Sequence, residues 1–477
     1  MTEAARRPQV SDRLVDDARR AIGGEFTGEL IGPSSPAYET VRRVWNGMID
    51  RYPALIARCG GVADVAAALR FGREHGLAVA VRGGAHNVAG NATCDNGIVI
   101  DLSPMKRIDV NEDARTARAE PGLRWAEFDA ATARSGLATT GGLVSTTGIA
   151  GFTLGGGIGW LMRRHGLTCD NLLLAEVLTA DGERVPASEQ ENADLFWALR
   201  GGGGNFGIVT AFTYRLHPVA TVLGGLVLHE AARAADLYRF FREFTADAPD
   251  ELTAMVVFLT APPAPFVPPA LQGKPAVALV VCYTGDPAQG ERVVAPIRRY
   301  GPPIADVIGS VPYPALQQMF DQGAPAGLRN YWKSGYMRAL DDHAIETIVA
   351  HAAAAPSPLT QVHLHQLGGA VSRVAPDATA FAHRSAPFVL NIVGTWAEQA
   401  DDDTNVLWTR TFWSAIEPAT EGAYLNFLGD EGPERIRAAY EPAAYERLVA
   451  VKNRYDPTNA FRLNQNVRPS DGHRPAV

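Results

Sequence analysis

Apolar and polar positions alternate in two regimes along the chain. Residues 62–75, VADVAAALRFGREH, place apolar side chains at helical spacing, and Gly76 follows as a stop. The run LAVAVRGG (77–84) reads as a buried strand that enters a glycine turn, and GIVIDLS (97–103) reads as another. Residues 105–120 suggest a short hairpin, and RWAEFDAATARS (124–135) a helix ended by Gly136. Ahead of these, residues 1–50 read as helical and amphipathic, followed by a loop from Gly32 to Pro36. Alternation of this kind predicts sheets covered by helices.

The character changes after about residue 218. GGLVLHE, TAMVVFLTA, AVALVVCYTG, TQVHLHQLGGAV and FVLNIVGTW read as strands, separated by helical stretches at 231–246, 286–300, 341–354 and 400–416. That order predicts an antiparallel sheet with helices on one face. PPAPFVPP (262–269) cannot be regular structure. The tail is a helix stopped at Asp456-Pro457, then an Asn-rich segment.

At 477 residues the chain has room for two to four domains of roughly 100–200 residues. Its 46% hydrophobic and 20% charged residues exclude disorder over most of its length. A net charge of −8 argues against nucleic acid as a partner. The pairs Arg163–Arg164 and Arg298–Arg299 read as solvated surface. Four scattered cysteines, Cys59, Cys94, Cys169 and Cys282, form no CxxC pair, so neither a metal site nor a disulfide framework is expected. No apolar run approaches the roughly 18 residues of a membrane span. A soluble cytoplasmic protein, monomer or homodimer, is the expectation.

Glycine is where the composition departs from the ordinary. Eight of the twenty residues in GGLVSTTGIAGFTLGGGIGW (141–160) are Gly, and RGGGGNFG follows at 200–207. With RGG at 82–84, three such loops lie beside strand or helix starts. Loops without Cβ atoms let backbone N–H groups approach a ligand, and three together point to a large phosphate-bearing one.

The ordered motifs RGGAHNVAG, TLGGGIGW, RRHGLTCDN, LFWALRGGGGNFGIVT and YDPTNAFRLNQN resemble those of the berberine-bridge-enzyme-like flavoproteins of the vanillyl-alcohol-oxidase superfamily, from about residue 40 to 469. The resemblance implies an α+β fold with a PCMH-type FAD-binding domain (1–218), an antiparallel-sheet substrate domain (219–424) and a C-terminal segment (425–477) returning to the first. It implies an FAD-dependent oxidoreductase that removes a hydride from a C–OH or C–N centre of a small organic substrate and passes electrons to dioxygen. A flavin dehydrogenase with another acceptor, or a flavin-retaining binding protein, is the alternative.

On pattern alone His86 is a hydrogen-bonding turn residue. The resemblance instead makes it the covalent attachment point of FAD, a role suited to a neutral imidazole. Arg82, Gly83, Gly84, Ala85 and Asn87 then border the cofactor. The resemblance places Thr146, Thr147 and Gly151 at the diphosphate or isoalloxazine, Gly155, Gly156 and Gly157 as a backbone opening, and Ile208 and Val209 at the adenine side. Asn464 and Asn466 return to the flavin, or serve as a helix cap and turn. Many relatives carry a second link through a Cys where this chain has Val144, and Cys169 reads as packed and inert, so a single link is expected.

The catalytic residues are the harder part. Asn391 stands where relatives carry Gln or Glu, and an amide cannot be a general base. Tyr424-Leu425-Asn426-Phe427 replaces the last Tyr of the family's Tyr-x-Asn-Tyr with Phe. Tyr331 and Lys333 would share a face of an extended Asn330-Tyr331-Trp332-Lys333, and they rank above Asn391 and Tyr424 as proton acceptors. Gln361, His363 and His365 form a polar stripe at period two, read as facing the flavin cavity rather than holding a metal. His165 reads equally as flavin edge or surface.

Overall fold

The structure is a computed structural model that describes residues 13–24 and 26–470. The expectation for residues 1–12 lies outside the described residues.

The helix Val62–Glu74 forms where the periodicity places it, and Gly76 ends it at φ +63°. It connects the strand Leu55–Arg58 to the strand Val79–Arg82, both of which pair in parallel with Ile98–Asp101. Val65, Leu69 and Phe71 on the helix are buried against Leu55, Ile98 and Ile100. A further strand, Glu29–Ile31, adds antiparallel to Leu55–Arg58 and completes four strands. This strand corrects the helical expectation for residues 1–50: Arg13–Ile22 and Tyr38–Val41 are helical, while Gly23 and Gly24 break the pattern and the chain then runs extended.

A second, five-stranded antiparallel sheet holds the hairpin Ile108–Asn111 and Thr116–Ala119 next to Ile208–Arg215, Leu172–Leu178 and Arg184–Ala187. The helices Trp125–Thr132, Ala193–Leu199 and Pro442–Tyr455 share its core. Lys452 locks the last of these in place. It is fully buried, donates to the carbonyls of Asn205 (2.8 Å) and Phe461 (2.9 Å), and pairs with Asp456 at 2.7 Å. Asp456 accepts in turn from the backbone N–H groups of Ala460 and Phe461.

The third large sheet has eight strands and draws only on residues 221–396. Its helices, Ala234–Ala246, Pro287–Arg299, Asp342–Ala353 and Asp402–Ile416, all pack on one face. The opposite face meets Trp160 and Leu161 from the glycine-rich region and then opens into a cavity. Arg163 ties these parts together. It is buried and donates to the carbonyls of Leu252 (2.7 Å), Ala248 (2.9 Å) and Leu367, which corrects its reading as solvated surface, whereas Arg164 is exposed. No described helix is long and apolar enough to cross a membrane. The architecture is α+β.

Candidate active site

One wall of the cavity is made of backbone. The strand Val79–Arg82 runs into Gly83, Gly84, Ala85, His86 and Asn87, and all five loop residues line the space. Ala85 sits at φ +60°, a left-handed conformation that costs energy for any residue with a Cβ. Gly84 meets Gly148 backbone to backbone: a Cβ on Gly148 would lie 2.5 Å from the Gly84 nitrogen. Thr147, Gly148, Gly151 and Gly155 continue the wall, followed by Gly203, Gly204, Ile208 and Val209. A Cβ on Gly151 or Gly204 would meet nothing within 4 Å.

His86 is held from two sides. Its ring stacks on Trp45 with centroids 5.0 Å apart, and Thr146 Oγ1 lies 3.1 Å from Nε2. Burial, helped by the Arg124 charge, pulls its pKa down to about 3, so the ring is neutral at ordinary pH.

The facing wall is made of side chains. The strands Gln361–Gln366 and Phe388–Trp396 pair antiparallel with His363 opposite Asn391. Gln361, His363, His365, Asn391, Val393 and Thr395 point into the cavity at the two-residue period of a strand. His363 Nε2 donates to Gln361 Oε1 at 2.7 Å. Burial lowers the His363 pKa to about 4 and holds His365 well below its ordinary value, with His363 adding to the effect on His365. Asn391 Oδ1 and His365 Nε2 are buried without a partner, as is Asn464 Oδ1. Buried polar atoms are rarely left unpaired, so these mark places where a ligand would bond. Trp45, Trp332 and Phe427 join the two walls, Trp332 lying edge-on to both of the others. Among the described residues, no Asp, Glu, Lys or Arg lines this cavity.

Most of the expected cofactor residues therefore come together, but five do not line the space. Arg82 is turned away, donating to the carbonyls of Ala92, Val41 and Arg42. Thr146 reaches the site only through His86. Gly156 (φ +116°) and Gly157 (φ +89°) lie behind the wall against Phe381 and Thr168. Asn466 stands apart, while Asn464 and its neighbour Gln465 line the cavity.

The preferred catalytic pair is corrected by strand phase. In Arg329–Met337 it is Asn330 and Trp332 that face the cavity. Tyr331 points to the other side and accepts a hydrogen bond from Arg410 Nε at 3.1 Å, while Lys333 pairs with Glu431. Tyr424 is also outside: its fully buried hydroxyl accepts from the N–H groups of Gly157 (3.0 Å) and Ile158 (3.1 Å) and from Asn426 Nδ2 (2.9 Å). Asn391 alone of the four reaches the cavity. Cys169 is buried outside it and Val144 lines it. His165 stacks on His217 at 3.9 Å, away from the site. Nothing periodic in the sequence marks Trp45, whereas the stripe of Gln361, His363 and His365 faces the cavity as its two-residue spacing predicts.

The backbone cradle, the unpaired Asn464 oxygen and the neutral His86 ring fit a bound FAD. Residues 53–188 match an FAD binding domain, and residues 423–468 match the berberine and berberine-like family. The chain belongs to the berberine-bridge-like FAD-linked oxidoreductases. An FAD-linked oxidoreductase of Dictyostelium discoideum is 32% identical, over 90% of this chain and 92% of its own. The (R)-6-hydroxynicotine oxidase of Paenarthrobacter nicotinovorans is 30% identical, over 93% of this chain and 97% of its own. The solved 6-hydroxy-D-nicotine oxidase of Arthrobacter nicotinovorans superposes with a TM-score of 0.85 at 28% identity, covering 94% of this chain and 99% of that one.

Proposed function

We propose that this oxidoreductase is an oxidase that carries FAD on a single covalent bond to His86, oxidises a C–OH or C–N centre of a small organic molecule and returns the electrons to dioxygen. The observation that carries the reading is the single cavity, which runs from the neutral His86 ring past the glycine backbone to the polar face of the eight-stranded sheet. Gly83, Gly84, Asn87 and Gly148, which line the cavity beside the strand end, would hold the diphosphate through their backbone N–H groups. Thr146 and Trp45 orient the His86 ring, and the hydrogen bond at Nε2 leaves Nδ1 as the nitrogen for the link. Bound FAD supplies the hydride acceptor. Trp332 and Phe427 exclude water beside it, and Asn391 and the His stripe present hydrogen-bonding atoms to the substrate. Val144 in the cavity wall and Cys169 outside it favour one link rather than two.

The test is denaturation in acid followed by a substrate screen. Flavin is expected to stay with the precipitated chain, and an alcohol or amine is expected to bleach it without air and to release peroxide when air is admitted. Free flavin in the supernatant refutes the covalent link. Bleaching that air does not reverse assigns a different electron acceptor.

A further inference from the structure

We propose that the cavity takes an uncharged substrate, a small aromatic alcohol, whose hydroxyl proton passes to His363 held in position by Gln361. This rests on the flavoenzyme reading above and adds to it the substrate class and the proton acceptor.

The charge argument comes first. A buried ammonium or carboxylate at the sheet wall needs a counter-charge, or free backbone N–H groups such as the glycine wall offers a diphosphate, because loss of hydration is otherwise uncompensated. No counter-charge lines the wall among the described residues. The cations closest in sequence are engaged elsewhere, Lys333 with Glu431 and Arg329 with Asp402. Amides, hydroxyls and neutral imidazoles remain, and these suit a neutral hydroxyl.

The proton acceptor follows by chemistry. The titratable groups in the wall are His86, His363 and His365. His86 is engaged with Thr146, and no side chain among the described residues fixes the tautomer of His365, whose Nε2 is unpartnered, whereas Gln361 fixes that of His363. His363 remains. Gln361 Oε1 can only accept, so His363 Nε2 carries the hydrogen and Nδ1 keeps its lone pair. Besides Gln361, the groups facing His363 are His365 on its own strand, Asn391 across the pair and Phe320; His365 is the one titratable group among them. The substrate O–H bond breaks with its electron pair left on oxygen, and the proton adds to Nδ1. The carbinol hydride leaves to the acceptor already assigned. The unpaired Asn391 Oδ1, in register with His363, accepts a hydrogen bond from the substrate. Phe320, Phe427 and Trp332 give the space aromatic sides suited to a flat ring.

Calorimetric binding of benzyl alcohol, benzylamine and benzoate to the holoenzyme near neutral pH tests the charge rule without turnover. Benzyl alcohol is expected to bind at least about tenfold more tightly than either ion, a difference of about 1.4 kcal/mol. Asn391→Asp is expected to reverse the order in favour of benzylamine. Ring-nitrogen NMR of histidine-labelled protein, assigned with His363→Gln, tests the proton acceptor. Benzyl alcohol is expected to move the lone-pair nitrogen of His363, and Gln361→Leu is expected to change its tautomer while Gln361→Glu preserves it. In a panel of benzylic alcohols, His363→Gln is expected to slow oxidation by about 10²–10⁴. Equal binding of the ions, an unmoved His363 signal, or no alcohol of the panel oxidised by a holoenzyme that retains flavin overturns the proposal and leaves the flavin reading standing. Absence of flavin from the protein overturns the earlier reading, while the charge preference is still read from binding alone.

Discussion

The two walls of the cavity are built on opposite principles. The glycine wall is backbone brought close to backbone, as at Gly84 and Gly148, and its chemistry is that of N–H groups and one fixed imidazole. The sheet wall is a row of side chains whose direction follows from strand phase alone. The first tolerates little change where backbones touch, because a Cβ at Gly84 or Gly148 has nowhere to go. The second can change its chemistry by exchanging residues on a scaffold that stays put. Binding of a common cofactor and variation of a substrate thus fall on different kinds of structure.

The sharpest way to separate the walls is to remove His86. His86→Ala is expected to abolish covalent flavin completely, with the acid-precipitated protein colourless, while the sheet wall keeps its shape. Thr146→Val removes only the hydrogen bond at Nε2, so attachment is expected to persist but to form more slowly. Flavin remaining on the chain of His86→Ala, located by peptide mapping, would move the link to another residue.

The next largest effect is expected away from the cavity, where two helices meet. Asp129 on the helix Trp125–Thr132 accepts from Gln317 Nε2 at 3.2 Å, across to the helix Tyr313–Gln317. Burial raises its pKa from 3.8 to about 7. A raised carboxyl favours the folded state in its protonated form. That contribution is complete below the unfolded value and is lost as the pH climbs through about 7. Three units correspond to about 4 kcal/mol. Asp129→Asn is therefore expected to be more stable than the parent protein at alkaline pH by up to that amount, and to converge with it toward pH 4, as followed by thermal melting. A constant difference across the range would show that Asp129 does not titrate in this window.

How far each wall was legible in the sequence follows from the same contrast. Glycine clusters announce close approach by their composition, and the family resemblance adds that Gly83, Gly84, Gly151 and Gly155 border the ligand space. Which glycines of a run face the ligand is not legible there: Gly156 and Gly157 belong to the same run but open away from it. The long alternating strands and their helices were equally plain, since period two and period 3.6 are local properties. The failure at Tyr331 and Lys333 was one of phase. In Asn330-Tyr331-Trp332-Lys333 both faces carry an aromatic and a polar residue, so the pattern does not say which is inside. Pairing with Phe388–Trp396 decides it, setting Asn330 beside Thr395 with a 2.9 Å bond between their side chains. Trp45 and His86 meet only through the fold, over forty positions apart.

That phase can be tested on the strand itself. Trp332→Ala removes a wall of the cavity and is expected to weaken benzyl alcohol binding about tenfold or more. Lys333→Met removes a partner of the buried Glu431, to which Arg435 remains at 3.5 Å. It is expected to cost about 1–3 kcal/mol of stability and to leave binding and flavin reduction near the parent values. The opposite pattern would return Lys333 to the active site.

The smallest effect is expected at Cys169, a buried thiol next to the glycine-rich run. Its thiol is fully buried in an apolar cluster with Tyr336 and Phe381. Burial pushes the thiol pKa far up and the Asp170 carboxylate beside it adds to the rise, while Arg384 and Arg200 only partly oppose it. A thiol held in that state offers no thiolate to attack a flavin. It also has no opening onto the cavity, whereas Val144 faces it without a nucleophile. Cys169→Ala is therefore expected to keep all of the covalent flavin and its visible spectrum. Its cost is limited to the contacts of one sulfur atom, about 1 kcal/mol. A spectrum shifted in the variant, or flavin recovered on a peptide containing Cys169, would mean that the wall rearranges far enough on binding FAD to bring a buried thiol into it.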